Sequence, residues 1–161
     1  MNYNLSNLPI GIFNRFECQY LAELVSQVPD HGVIVEVGSL LGRTSVIIGR
    51  HAKENVKIFC IDKFPENFQL NFDMSKRFDG DQYPKFKQVY NTYEIFKNNT
   101  VQFKNITPII GDSPYSIEYT PEPIDMFFLD VQENVKMLEN MYGQKAIIFP
   151  ASTLWMIRKP Q

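Results

Sequence analysis

Apolar residues recur along this chain with two periods. Apolar-rich runs at Val33 to Val37, Lys57 to Ile61, Ile106 to Ile110 and Ile124 to Leu129 have the β-branched and aliphatic character of strands buried on both faces. Between them, apolar residues return every three or four positions. Phe16, Tyr20, Leu21, Leu24 and Val25 predict an amphipathic helix over Phe13 to Val28, stopped by Pro29-Asp30-His31-Gly32. Gly42 to Ala52, Thr92 to Asn99 and Val131 to Tyr142 predict further helices, the last closed by Gly143. His51, at the end of the second of these helices, is expected to be a solvated cap favoured by the helix dipole. Ala146 to Phe149 and Thr153 to Ile157 flank Pro150-Ala151-Ser152 and predict an antiparallel hairpin at the C-terminal end. Strands alternating with helices predict an α/β class: a Rossmann-like, doubly wound, mostly parallel sheet with helices on both faces and the hairpin as its antiparallel margin. The first helix is expected to cover a sheet edge.

Two stretches break the alternation. Residues 1–12 are polar and turn-rich and are expected to form a surface arm. Residues 64–90 carry Phe64, Phe68, Phe72, Phe78, Tyr83, Phe86 and Tyr90 among charges and turn residues. A connection this long inside a compact domain is usually functional. The aromatic-rich insertion reads as a lid over a substrate or as a subunit contact. Asp73, Asp79 and Asp81 lack the spacing and terminal glutamate of a calcium loop.

Composition narrows the class. The chain has 161 residues, 44% hydrophobic and 14% aromatic, which suits one packed domain spanning 1–161. Sixteen basic and 18 acidic residues give a net charge of −2, with no basic block, so nucleic acid is not the expected partner. Cys18 and Cys60 fall in a helix and a buried strand without a paired spacing, which points to a reducing cytoplasm. The first residues lack the pattern of a signal peptide, and no apolar run has the length of a bilayer span, so no membrane partner is expected.

The candidate chemistry lies where the predicted strands end. Val33-Ile34-Val35 leads to Glu36, then Gly38 and Gly42, then Arg43-Thr44-Ser45 at the start of a helix. A strand turning through glycines into a helix N-terminus forms a cradle for a small ligand, because glycine permits close approach and the first N–H groups of the helix point into the gap. Asp62, Gly111-Asp112-Ser113 and Asp130 follow the other three strands. In open α/β sheets ligands bind beyond these carboxyl ends. Asp62 stands roughly 20 residues past the glycines, a spacing suited to a carboxylate accepting from ribose hydroxyls. The Gly-x-x-x-Gly pattern lacks the close glycine pair on which a pyrophosphate rests, so a nucleoside without phosphates fits better than NAD. An acidic rim also favours a cationic ligand. The competing structural reading of Glu36, Asp112 and Asp130 is that they cap turns and helices.

These residues resemble a known family. Glu36-Val37-Gly38-Ser39-Leu40-Leu41-Gly42-Arg43-Thr44-Ser45 is similar to the first motif of class I S-adenosylmethionine-dependent methyltransferases, in the small-molecule group that reads Glu-x-Gly-x-x-x-Gly-Arg-Ser/Thr. Ile61-Asp62, Ile110-Gly111-Asp112-Ser113 and Ile124 to Asp130 resemble its later motifs in the expected order, and Phe96-x-x-Asn99 matches a recurring helix pattern there. The resemblance implies S-adenosylmethionine as cofactor and a small-molecule methyl acceptor, with a homo-oligomer left open. It would place Glu36, Gly38, Ser39, Gly42 and Thr44 around the methionine end of the cofactor, and Asp62 and Lys63 at the ribose. Gly111, Asp112 and Ser113 would flank adenine, and Asp130 would stand near the amine and the reacting methyl, as the one candidate base for an oxygen acceptor. Some relatives hold a divalent metal at an acid after the fourth strand; its partner ligands are not visible in this sequence.

One departure from the family is plain. Relatives place a helix and a fifth strand after strand four, with a Pro-Gly-Gly turn, whereas Asp130 runs directly into the helical pattern at Val131. A helix–strand unit of roughly 30 residues is missing there, through a natural deletion or because 130 and 131 are not neighbours in the native gene product. The rival functions are an NAD-type Rossmann oxidoreductase and a non-catalytic cofactor-binding module on the same fold. A hydrolase is not expected, since His31 and His51 are the only histidines and no Gly-x-Ser-x-Gly elbow is present.

Overall fold

The computed structural model describes residues 7–11, 13–69, 89–112, 115–120 and 123–129, together with 136, 139–140, 147–148 and 155–158. Four parallel strands form the centre of the sheet: β1 (Val33–Val37), β2 (Lys57–Asp62), β5 (Ile106–Ile110) and β6 (Met126–Leu129), in the order β5-β2-β1-β6. The short strands β3 (Phe68–Gln69) and β4 (Val89–Tyr90) pair antiparallel at the base of the aromatic-rich insertion, whose interior lies outside the described residues. Beyond β6 the sheet continues with β8 (Trp155–Arg158), antiparallel to it, and then β7 (Ile147–Ile148). Residues 149–154, which would turn these two strands into the expected hairpin, lie outside the described residues, as do 130 and 131. An antiparallel strand therefore sits directly beside the fourth parallel strand, with no fifth parallel strand between them among the described residues.

The period-two pleat sends alternate residues of these strands to opposite faces. Ile34, Ile58, Cys60, Met126 and Phe128 join a core with helices α1 (Arg15–Ser26), α2 (Arg43–His51) and α3 (Thr92–Thr100), through Leu21, Val25, Ile47, Ile48 and Phe96. On the other face Val33, Val35, Val37, Ile61, Phe127 and Leu129 meet Ile117 of a 3-10 helix (Tyr115–Tyr119) and Ile124. All three described α-helices thus lie on one face. The expected helix at Val131 to Tyr142, which would cover the other, falls almost entirely outside the described residues. Helix α1 packs on α2 and joins the same core through Leu21 and Val25, and Phe13, just before it, stands edge-on to Phe128 of β6 at 5.6 Å. Its start is set by a capping box: Asn14 accepts from the N–H groups of Phe16 and Glu17, and Glu17 accepts from Asn14 at 2.9 Å, an arrangement contributing about 1 kcal/mol.

Strand β5 forms the edge among the described strands. Ile58 donates to the Asn105 carbonyl and Gly111 donates to the Asp62 carbonyl, so odd-numbered residues of β5 turn their backbone groups toward β2. Pro108, being even, points its nitrogen outward and has no hydrogen to offer there.

Candidate functional site

The carboxyl ends of β1, β2, β5 and β6 open on the same side, and the loop after β1 lies across them. Within it Gly38, Leu40 and Gly42 all have positive φ (91°, 46° and 85°). For the two glycines this conformation costs little; for Leu40 it costs about 1–2 kcal/mol, so something must hold it. Asp62 does so. One of its oxygens accepts from the Leu40 N–H at 2.8 Å, and the other accepts from the N–H of Phe64, itself at φ 46°, at 2.8 Å. Each oxygen keeps a further lone pair, so this half-buried carboxylate is fixed in place without being used up.

Glu36 lies under the loop, fully buried. It accepts from Ser39 Oγ at 2.8 Å and from the hydroxyls of Thr44 and Ser45 in the first turn of α2. It therefore ties the loop to the helix start from below. Cys60, its neighbour on β2, is also fully buried; burial raises its thiol well above the ordinary range, and the adjacent Glu36 carboxylate adds to the rise. Both cysteines are free, and burial pushes Cys18 up to about 12. Arg43, buried at the same helix start, donates to the carbonyls of Gly11 and Phe13 at 2.9 Å, and Arg50 donates to that of Asn7 at 3.0 Å. The arm preceding α1 is thereby strapped along α2.

At the next strand end, Gly111 donates to the Asp62 carbonyl, and a Cβ on Gly111 would collide with Ser116 Oγ. Asp112 is exposed and paired with Lys63 at 2.9 Å. With both side chains about two-thirds exposed, that pair adds at most about 1 kcal/mol. The structure thus brings together Glu36, Gly38, Ser39, Gly42, Thr44, Asp62, Lys63, Gly111 and Asp112 at one end of the sheet. They differ in exposure: Glu36 is fully buried, Asp62 is half-buried with both oxygens on loop N–H groups, and Asp112 is exposed. Ser113 and Asp130 lie outside the described residues.

Three contributors were not among the expected site residues. Ser45 shares the binding of Glu36, the Leu40 N–H occupies Asp62, and Asn99 of α3 donates to the Leu41 carbonyl at 2.7 Å. Ser45 and Asn99 had a sequence signal, in the first-motif stretch and in the Phe96-x-x-Asn99 spacing; the role of the Leu40 N–H had none. His51 departs from the solvated cationic cap expected of it: it is half-buried, and burial with the adjacent Arg50 lowers its pKa. No group of residues suited to a metal occurs among the described residues. A cavity of about 500 Å³ opens at the opposite, amino end of the sheet, between Gly49, Ala52, Glu54 and Phe103 to Asn105.

This topology is a Rossmann-like α/β fold, similar to that of solved methyltransferase structures. A precorrin-6y C5,15-methyltransferase from Geobacter metallireducens superposes with a TM-score of 0.57 and 9% identity, covering 99% of this chain and 98% of that one. A methyltransferase from Geobacter sulfurreducens gives 0.56 and 12%, covering 92% and 80%. A Clostridium thermocellum protein assigned as an rRNA methylase gives 0.53 and 12%, covering 94% and 99%. At these identities the likeness is one of fold. No protein-family model and no curated protein matches the sequence. Among the described residues, no helix is long and apolar enough to cross a membrane.

Proposed function

We propose that this protein binds S-adenosylmethionine at the carboxyl end of its parallel strands and transfers a methyl group to a small-molecule acceptor. The observation that carries the reading is the Asp62 carboxylate, held at the end of β2 by the N–H groups of Leu40 and Phe64. Its remaining lone pairs suit a ribose diol, and it lies beside a loop whose glycines allow close approach. Asp112, exposed at the next strand end and paired with Lys63, is assigned to the adenine side. When bound, the cofactor supplies a methyl already activated by its sulfonium. The work of this chain is to hold that group in line with the acceptor and keep water out. An oxygen acceptor also gives up a proton, and Asp130, the acid after β6, is assigned that role. The near-balanced charge of 16 basic and 18 acidic residues, without a basic block, favours a small acceptor over a nucleic acid.

The test is calorimetric titration with S-adenosylhomocysteine and, separately, with NADH. The reading expects the first to bind and Asp62→Ala to weaken it at least tenfold. Binding of NADH alone would move the protein to the oxidoreductases. Binding of S-adenosylhomocysteine without methyl transfer to any of a panel of hydroxylated acceptors would support a cofactor-binding module instead.

A further inference from the structure

We infer that Asn99 is a positioning residue for the cofactor loop, acting from helix α3 by fixing the orientation of a single peptide unit. This rests on the reading above for its ligand, but its geometry is independent of that reading. The peptide joining Leu41 to Gly42 is held at both ends. Its N–H donates to the Ser39 carbonyl at 2.8 Å, and its C=O accepts from Asn99 Nδ2 at 2.7 Å. The N–H bond is local, and because it lies in the same peptide plane as the Leu41 carbonyl, turning that plane breaks it. The C=O bond comes from 58 positions away in the chain, so it reports where α3 sits.

The orientation of that peptide governs the start of the next helix. Gly42 is the N-cap of α2, at φ 85°, with no side-chain cap bond. Rotating the Leu41–Gly42 peptide would release Gly42 from the left-handed region and swing the first turn of α2, which carries the Thr44 and Ser45 hydroxyls bound to Glu36. Helix α3 opposes this in two ways. Phe96 lies so close that a Cβ on Gly42 would stand 3.1 Å from its ring, which fills the space a displaced Gly42 would need. Asn99, one turn on, holds the carbonyl. Phe64 packs against Phe96 with the rings tilted by 57° and centroids 4.9 Å apart, and its N–H donates to Asp62. The same aromatic contact therefore braces both the loop and the acid assigned to the ribose. Glu36 pins the loop from below, Asp62 at Leu40, and Asn99 at Leu41; without Asn99 the last of these peptides keeps only its local bond to Ser39 and the packing of Phe96.

The experiment compares the wild type with Asn99→Ala and Asn99→Asp in the full chain. Amide hydrogen exchange of Gly42, measured without ligand, is expected to speed up at least tenfold in Asn99→Ala while the exchange of β1 and β2 amides is unchanged. Calorimetry with S-adenosylhomocysteine is expected to show about tenfold weaker binding for Asn99→Ala. Asn99→Asp supplies the sign check. Ionised, its carboxylate repels the Leu41 carbonyl; protonated, it donates to it. The ratio of its dissociation constant to that of the wild type is therefore expected to shrink as pH falls from 8 to 5, which a general loss of stability would not produce. Unchanged Gly42 exchange in Asn99→Ala, or a ratio independent of pH, overturns the inference. If the wild type does not bind S-adenosylhomocysteine, the proposed function fails, and the Gly42 exchange still decides this point.

Discussion

Helix α2 uses glycine at both ends, for different reasons. At its start, Gly42 combines a left-handed backbone with a close ring, Phe96. Near its finish, Gly49 has an ordinary helical backbone, and only space is at stake: a Cβ there would stand 2.7 Å from the Phe103 ring. The first end is organised by polar contacts, with Glu36, Asn99 and Asp62 all reaching the same loop. The second is organised by packing, beside the cavity at the amino end of the sheet. The contrast teaches that conformational precision is concentrated where the parallel strands finish, while the opposite end needs only to be filled.

Substitutions at the two ends test that contrast. The largest effect is expected for Glu36→Gln. An amide N–H would face one of three hydroxyls that now donate to a buried carboxylate, so urea denaturation should show a loss of about 3 kcal/mol, together with weakened binding of S-adenosylhomocysteine. Gly42→Ala should come second, at about 2 kcal/mol from backbone strain and contact with Phe96, again with binding impaired. Gly49→Ala should cost about 1 kcal/mol, since crowding of Phe103 is partly offset by the better helix propensity of alanine. Its affinity for S-adenosylhomocysteine should be unchanged; a loss matching that of Gly42→Ala would erase the distinction between the ends.

The smallest effect concerns pH. Burial, then Arg50, lowers the pKa of His51 below its ordinary value of 6.5. The unfolded chain therefore takes up this proton first as pH falls. The contribution of His51 is complete above about pH 6.5 and is lost below it, toward the lowered folded value. His51→Asn should flatten the acid side of the stability profile by less than about 1 kcal/mol. At the alkaline side the sign is reversed. Cys18 and Cys60 keep their protons past the ordinary value of 9.0, so stability falls as pH rises above it, and neither thiol should react with a disulfide reagent until the protein unfolds.

Much of the fold was legible because its signals are local. Strands β1 and β5 match the apolar runs end to end, since their residues are consecutive and their ends are marked by glycine. Helices α1, α2 and α3 lie within a residue or two of their periodic patterns. The grouping of strand-end residues was legible too, because parallel topology alone places them together. The direction each side chain takes was not. Glu36 and Asp62 carry the same charge at neighbouring strand ends, yet one is sealed beneath the loop on side-chain hydroxyls and the other is half-buried on main-chain N–H groups. That outcome depends on Ser39, Thr44 and Ser45 offering three donors from one side. Asn99 was visible as a spacing, but its partner is a main-chain carbonyl, and no side-chain pattern names a carbonyl.

Pro108 leaves a mark on how this molecule can keep company. A sheet whose outer margin offers a full row of donors invites a passing chain to zip onto it. Here the row is interrupted at its centre, so a visiting strand would find its middle acceptor unanswered. If two copies associate, the flank at β5 is poorly suited to joining them strand to strand.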